Sequence, residues 1–282
     1  ASGYAFSTLG AIAVATEKVE IVTAVTTPLF RYHPAVVAQA AATVDRLSGG
    51  RFRLGVGTGE NINEGPLGYP FPDYAERAAR MREALEIMRR LLDGEKLTFD
   101  GDWYHTDRAK LYSPPASDLP IWMAAGGPKS AALAATMAEG IITSVRDPLT
   151  TIQRVIDPAA VAASEAHRTP PTIAASRWTI RAEDSDEAWQ ALGAWRGLRA
   201  PGRLEALDPA DLRRRADRMD RSEVLSSYSV VSDPRDYVDV YRPLVTEIGA
   251  DVVTVQTTAL DQEGTISMLG AVVLPELRSL GR

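Results

Sequence analysis

The sequence has no cysteine and only three histidines, and these scarcities exclude several kinds of chemistry. Without cysteine the chain forms no disulfide, no thiolate metal site and no thiol nucleophile. The histidines (His33, His105 and His167) do not have the close spacing of a histidine metal motif. We therefore expect no metal site.

The sequence also lacks a net positive charge and long hydrophobic runs. The net charge is −6 and the isoelectric point is near 5.3, which argues against a nucleic-acid partner or an anionic membrane surface. No apolar run approaches the roughly 18 residues that a membrane span needs, and no signal peptide opens the sequence. We expect a cytoplasmic protein that acts on a small molecule, with no nucleic acid and no membrane as partner.

Short β-branched segments alternate with helical segments along the whole chain. Short β-branched and apolar runs between stretches of 3.6-residue period predict about six strands, at 19–25, 51–57, 120–125, 140–145, 172–180 and 251–257. These strands lack polar alternation, which is typical of a parallel sheet covered on both faces. No linker interrupts the pattern, so we predict one domain over 1–282, with an arginine-rich helical insertion near 185–225.

Two architectures fit this pattern equally well. A (β/α)8 barrel needs eight strands, whereas an open doubly wound sheet forms with fewer. Polar residues follow the carboxyl ends of several strands, at Thr26–Thr27, Glu60–Asn63, Gly126–Gly127 and Gln256–Thr258. A barrel gathers all such ends at one mouth, and an open sheet uses mainly one switch point. Periodicity alone leaves both architectures open.

The stretch RLGVGTGENINE, residues 53–64, places a carboxylate directly after a glycine-rich strand. Glu60 is a candidate proton donor or acceptor, and its alternative role is that of a turn carboxylate capping nearby N–H groups. The glycines do not form the dinucleotide fingerprint, because the third is misplaced and Pro66 follows where a helix would open.

A second glycine-rich stretch ends the strand near 120–125. Gly126 and Gly127 precede a helix, so their N–H groups form a candidate anion site. A simple glycine-rich turn explains this segment by itself better than an anion site does.

Taken together, three blocks of sequence resemble the luciferase-like flavin and deazaflavin oxidoreductases. They are TTPLFRYHPAVVAQAAATVDRLSGGRFRLGVGTGENINE, IWMAAGGP, and the C-terminal VSDPRDYVDVY with GADVVTVQTT. The likeness runs over nearly the whole chain and is nearest to the coenzyme F420-dependent glucose-6-phosphate dehydrogenases and their relatives. It implies a (β/α)8 TIM barrel of the luciferase-like type, a deazaflavin at the C-terminal mouth, and a homodimer.

The resemblance also implies roles for particular residues. Glu60 would be the acid beside the deazaflavin ring, and Arg177 with Arg203 (or Arg199) would bind a substrate phosphate. Cofactor contacts would come from a bulge at Ala24–Val25, often built on a non-proline cis peptide, and from further positions along three strand ends: Thr27, Gly57, Thr58, Gly59, Asn63, Ala124, Ala125, Gly126 and Gly127.

The sequence departs from the family in two respects. Members begin with a strand–helix–strand unit whose Asp-His pair supplies the catalytic base, and no such motif is present here. We therefore expect a barrel that lacks its N-terminal β-α-β unit. A third phosphate-binding arginine of the sugar-phosphate enzymes is replaced by Ser227.

The function that the resemblance implies is an F420-dependent dehydrogenase of hydroxyl-bearing substrates, with a sugar phosphate such as glucose-6-phosphate as one example. The alternatives are an FMN-dependent luciferase-like monooxygenase and a non-catalytic flavoprotein or partner subunit.

Overall fold

The structure is a computed structural model and describes residues 3–281. Its strands are β1 (Ile21–Val22), β2 (Phe52–Val56), β3 (Leu97–Asp100), β4 (His105–Ala109), β5 (Ile121–Ala124), β6 (Gly140–Ser144), β7 (Thr172–Arg181), β8 (Ser229–Val231) and β9 (Val252–Thr258).

The α-helices of the described residues lie along the chain before, between and after these strands. They are α1 (Ala5–Ala15), α2 (Pro34–Ser48), α3 (Asn61–Glu64), α4 (Tyr74–Leu92), α5 (Pro128–Met137), α6 (Pro148–Thr151), α7 (Asp157–Glu165), α8 (Ser185–Leu192), α9 (Pro209–Ala216), α10 (Arg221–Leu225), α11 (Pro234–Thr246), α12 (Gln262–Met268) and α13 (Leu274–Leu280). Within residues 3–281, no helix has the length and apolar character needed to cross a membrane.

Capping side chains explain where several helices begin. Asp73 accepts a hydrogen bond from the Glu76 N–H at the start of α4, and Asp233 accepts from two N–H groups at the start of α11. Such caps satisfy N–H groups that have no partner within the helix. Pro234 at the first position of α11 has no N–H to satisfy, so the Asp233–Pro234 pair suits the start of this helix.

The chain divides into two compact units whose segments interleave in sequence. In the first unit (1–59, 69–142 and 154–172), strands β1, β2, β5 and the start of β6 pair in parallel in that order. The residues of β2 and β5 are almost completely buried, as expected for strands covered on both faces. A separate antiparallel hairpin, β3–β4, belongs to the same unit.

The second unit comprises 60–68, 143–153 and 173–282. Strand β7 pairs in parallel with β9 along most of its length and with β8 at its end. The Val145 N–H, directly after β6, donates to the Ser176 carbonyl of β7 at 2.7 Å. Residues of α8, α10 and the end of β7 form one apolar cluster, and Trp178 of β7 packs against it.

The six predicted strands are all present, and the mainly parallel α/β class is confirmed. The sequence reading missed the β3–β4 hairpin because its residues are mostly exposed and form no apolar run. The arginine-rich insertion is helical but broken into α8, a 3-10 segment at Gly193–Arg199, α9 and α10. The single domain stays a prediction.

Candidate functional site

The carboxyl end of β1 contacts β2 through a side chain. The Thr23 hydroxyl donates to the Gly55 carbonyl at 2.7 Å and accepts from the Gly55 N–H at 2.8 Å. Both groups are buried, so Thr23 satisfies two backbone atoms that water does not reach. A side chain at Gly55 would lie 1.8 Å from the Thr23 carbonyl oxygen, which explains the glycine.

Replacing Thr23 with Val tests this bridge. Valine keeps the shape but leaves the Gly55 N–H buried without this partner, whereas the Gly55 carbonyl keeps the Thr26 N–H at 3.0 Å. We therefore expect the free energy of unfolding to fall by about 2 kcal/mol. Urea denaturation measures the change. Thr43→Val is the matched control, because Thr43 is exposed and bonds only within its own helix. An equal effect in both variants would contradict the role of the bridge.

The next peptide bond, Ala24–Val25, is cis, as the resemblance implied for this position. Ala24 and Val25 are exposed and line a cleft of about 380 Å³ together with residues of α1. After this bond, the Thr26 carbonyl accepts a hydrogen bond from the Gly57 N–H at 2.8 Å, so the backbone pairs with the β2 segment again. Thr26 and Thr27 are both buried. Because a methyl group on Gly57 would lie 2.6 Å from the Val25 side chain, Gly57 leaves room for the bulge itself.

Arg77 of α4 holds the backbone that follows β2. Its guanidinium donates to the carbonyls of Thr58 and Gly59 and to the Thr58 hydroxyl, at 3.2–3.4 Å. The Phe71 ring lies under it, with the guanidinium carbon 4.4 Å from the ring centre. Burial lowers the pKa of Arg77. The sequence reading missed Arg77, since α4 carries many arginines and only the fold distinguishes this one.

The predicted anion segment follows β5. Ala124 and Ala125 end the strand, and the N–H groups of Gly126 and Gly127 both point to the Ser130 hydroxyl at 3.3 Å, at the start of α5. A methyl group on Gly126 would meet no atom within 4 Å, and an Nη atom of Arg154 lies 3.6 Å from the corresponding position on Gly127.

Tyr74 adds a further polar group to this part of the first unit. Its hydroxyl is buried and has no hydrogen-bond partner among the described residues, and burial raises its pKa. Sequence reasoning missed Tyr74 and Arg154 because both are distant in sequence from the glycines. Together these residues offer N–H, hydroxyl and guanidinium donors of the kind that bind phosphate.

In the second unit, Glu60 forms an ion pair with Arg203. Both side chains are partly exposed, and Glu60 precedes the short helix α3, which carries Asn63 on its exposed side. The segment is anchored by Asn61, whose side-chain amide donates to the Glu205 carbonyl at 3.2 Å. The structure thus joins the predicted acid to one of the two predicted phosphate-binding arginines.

Arg177, the other predicted arginine, has different surroundings. Its guanidinium donates to the Val240 carbonyl of α11 at 3.4 Å. Because successive strand residues point to opposite faces, Arg177 and Trp178 lie on opposite faces of β7. Arg177 therefore points toward α11, and no hydrogen bond or ion pair in the described part of the chain joins it to Arg203.

No group of three or more His, Asp or Glu side chains within residues 3–281 is arranged to hold a metal ion.

These features define a class of protein: a parallel α/β fold that carries its polar groups on the segments following its strands. The chain belongs to the luciferase-like monooxygenase family, whose model matches residues 3–251. The resemblance drawn from the sequence blocks is therefore confirmed.

Two curated relatives that are similar in sequence to this chain are named as F420-dependent dehydrogenases. An F420-dependent glucose-6-phosphate dehydrogenase of Intrasporangium calvum is 37% identical over 285 positions, covering 98% of this chain and 85% of the relative. An F420-dependent hydroxymycolic acid dehydrogenase of Mycobacterium tuberculosis is 34% identical over 279 positions, covering 98% and 76%.

Solved structures agree with the assignment. An F420-dependent secondary alcohol dehydrogenase in complex with an F420-acetone adduct matches with a TM-score of 0.89 at 29% identity, covering 100% of this chain and 85% of the other. A coenzyme F420-dependent tetrahydromethanopterin reductase from Methanopyrus kandleri matches with a TM-score of 0.80 at 24% identity, a likeness of fold alone. The luciferase-like fold type is confirmed.

Proposed function

We propose that this protein is an F420-dependent oxidoreductase that transfers a hydride between the deazaflavin and a hydroxyl-bearing substrate. The observation that carries the proposal is the conjunction of whole-chain similarity to F420-dependent dehydrogenases with a donor-rich segment at Gly126–Gly127. The family model takes its name from monooxygenases, but the curated relatives above are named as dehydrogenases.

The residues of the first unit suit a cofactor with a phosphate-bearing tail. The N–H groups of Gly126 and Gly127, which point to the Ser130 hydroxyl at 3.3 Å, precede a ten-residue helix. Arg154 and the Tyr74 hydroxyl add donors of matching chemistry. A methyl group on Gly126 would meet no atom within 4 Å apart from its chain neighbours, so this side of the backbone is open to a ligand. As the resemblance implies, the bulge at Ala24–Val25 would support the ring. Thr27 and Thr58 would make further contacts with the cofactor.

The cofactor, when bound, supplies the hydride-accepting carbon, and the protein supplies position and proton transfer. We assign Glu60 the proton that balances charge on the cofactor ring. Arg203, paired with Glu60, orients that carboxylate.

Several finer expectations from the sequence belong to the same proposal. Arg203 remains the better placed of the two predicted substrate-binding arginines, since Arg177 is directed to α11. A homodimer, which the family resemblance implies, and a cytoplasmic location, which is expected from the sequence, remain predictions.

A fluorescence titration with F420, run beside FMN under identical conditions, tests the cofactor. We expect saturable quenching with F420 and none with FMN. Replacing Arg154 with Met is expected to weaken F420 binding by roughly tenfold through loss of a charge-assisted contact. Arg108→Met, an exposed arginine of the β3–β4 hairpin, is the control. Binding of FMN alone would overturn the proposal in favour of a monooxygenase.

A further inference from the structure

The segment 60–68, which begins with Glu60, belongs to the second unit, whereas the residues just before and just after it belong to the first. The chain leaves the first unit after Gly59 and returns to it at Tyr69. Gly59 and Gly68 each have a φ of 83°, a left-handed conformation that favours glycine. Two glycine turns therefore bound the part of the chain that carries the proposed acid.

One side chain of the first unit, Arg77, bonds to the chain on both sides of this segment. Before the segment, its Nη1 donates to the carbonyls of Thr58 and Gly59 at 3.4 Å and to the Thr58 hydroxyl at 3.2 Å. After the segment, its Nε donates to the Pro72 carbonyl at 3.1 Å, and the Phe71 ring centre lies 4.4 Å from the guanidinium carbon. We call Arg77 with these four residues the clasp.

Within the second unit, the segment is held by contacts along its length. Ile62 packs against an apolar cluster of the arginine-rich insertion, and the Asn61 amide donates to a carbonyl of the same insertion. Arg203 pairs with the Glu60 carboxylate. The Glu60 side chain therefore has a partner of its own, and the backbone from which it extends is joined directly to the clasp.

Arg80, one turn further along α4, shows how another arginine of this helix is used. Its guanidinium donates to the Glu76 carboxylate within the helix and lies over two aromatic rings, at 5.4 and 5.6 Å from their centres. Arg77 instead donates to three backbone carbonyls that belong to two different loops. This contrast assigns Arg77 to the loops rather than to the surface of α4.

We propose that Arg77 is a positioning residue for Glu60. Through the clasp it fixes the backbone on both sides of the segment, and so fixes the point from which the carboxylate extends. The assignment rests on the proposed function for the role of Glu60 as the acid. A guanidinium suits this task, because its planar N–H donors reach several acceptors at once while an aromatic ring supports its face. A displacement of about 1 Å at a reacting group can lower a rate by roughly 10²-fold.

Replacing Arg77 with Met removes every donor of the guanidinium. We expect kcat for F420 reduction, measured at saturating F420, to fall by roughly 10–100-fold, while KM for the hydroxyl-bearing substrate stays within about threefold of wild type. Arg77→Lys keeps a charged donor without the planar fork, so it should recover part of the loss. Arg80→Met is the matched control on the same helix, and its kcat should stay near the wild-type value.

A double variant distinguishes positioning of Glu60 from a general loss of structure. If Arg77 acts through Glu60, adding Arg77→Met to Glu60→Gln should lower kcat by no more than about twofold beyond Glu60→Gln alone. Losses that multiply in the double variant would overturn the assignment to Glu60. A circular-dichroism melt checks that each variant folds, and Arg77→Lys takes the place of Arg77→Met in every arm if the methionine variant does not.

Hydrogen exchange followed by mass spectrometry tests the clasp without cofactor or substrate. The amides of Asn63 and Gly68 donate to carbonyls within the segment, at 2.9 Å each, and report its opening. We expect peptides covering 58–72 to exchange at least about threefold faster in Arg77→Met, the effect of losing hydrogen bonds that restrain a loop. Peptides of α11 should exchange as in wild type, and Arg80→Met should match wild type throughout.

The two arms separate failure of this inference from failure of the proposed function. Unchanged exchange over 58–72 in Arg77→Met would overturn the clasp, whatever the activity. Faster exchange together with non-additive losses in kcat supports it. Faster exchange in a chain whose wild-type form reduces no F420 would leave the clasp standing and remove the proposed function.

Discussion

Replacing Glu60 with Gln is expected to lower kcat for F420 reduction by roughly 10²–10⁴-fold, the usual effect of losing a general acid or base. Glutamine keeps the length of the side chain and an oxygen that accepts from Arg203, but it does not exchange a proton at neutral pH. The dissociation constant for F420, measured by fluorescence, is therefore expected to stay near the wild-type value.

The control for this variant is Glu205→Gln. Glu205 is an exposed carboxylate of the same unit, and its contact with Asn61 uses the backbone carbonyl rather than the side chain. The Glu205→Gln substitution makes the same change of charge and should leave kcat unaltered. If Glu60→Gln loses F420 binding and turnover equally, Glu60 belongs to the cofactor pocket or to the turn instead. Wild-type turnover would remove it from the mechanism.

Replacing Gly55 with Ala is expected to give the largest loss of stability. The new methyl group would lie 1.8 Å from the Thr23 carbonyl oxygen and 2.8 Å from the Ile142 side chain, in a strand with no room to shift. Moving the two strands apart would also break the bonds of the Thr23 hydroxyl to Gly55. We expect the free energy of unfolding to fall by about 3 kcal/mol or more, measured by urea denaturation.

Gly270→Ala is the matched control, since a methyl group there would meet no atom within 4 Å and the residue is helical. Alanine favours helix over glycine by up to about 1 kcal/mol, so this variant should be neutral or slightly more stable. Gly57→Ala lies between the two, because its clash at 2.6 Å is with the Val25 side chain rather than with backbone. Equal stability of the Gly55 and Gly270 variants would contradict the packing described for β1 and β2.

Local sequence determined the strands and helices that have strong patterns. The apolar segment at 120–125, the β-branched segment at 251–257 and the Asp233–Pro234 helix start all depend on neighbours within a few residues, and all are present. The hairpin β3–β4 escaped prediction because its stabilising contacts are distant. Glu83 of α4, for example, accepts hydrogen bonds from the backbone of residues 102–104 between its strands.

The sequence by itself determined the family, the parallel α/β class and the chemical types at the strand ends, since these depend on residue identity and short-range periodicity. Only the tertiary structure decided which side chains meet. It paired Glu60 with Arg203 across 143 residues, directed Arg177 toward α11, and set Arg199 and Trp178 against Tyr228. The physical reason is that local patterns fix which face a residue occupies, whereas its partner is set by chain segments packed together from far along the sequence.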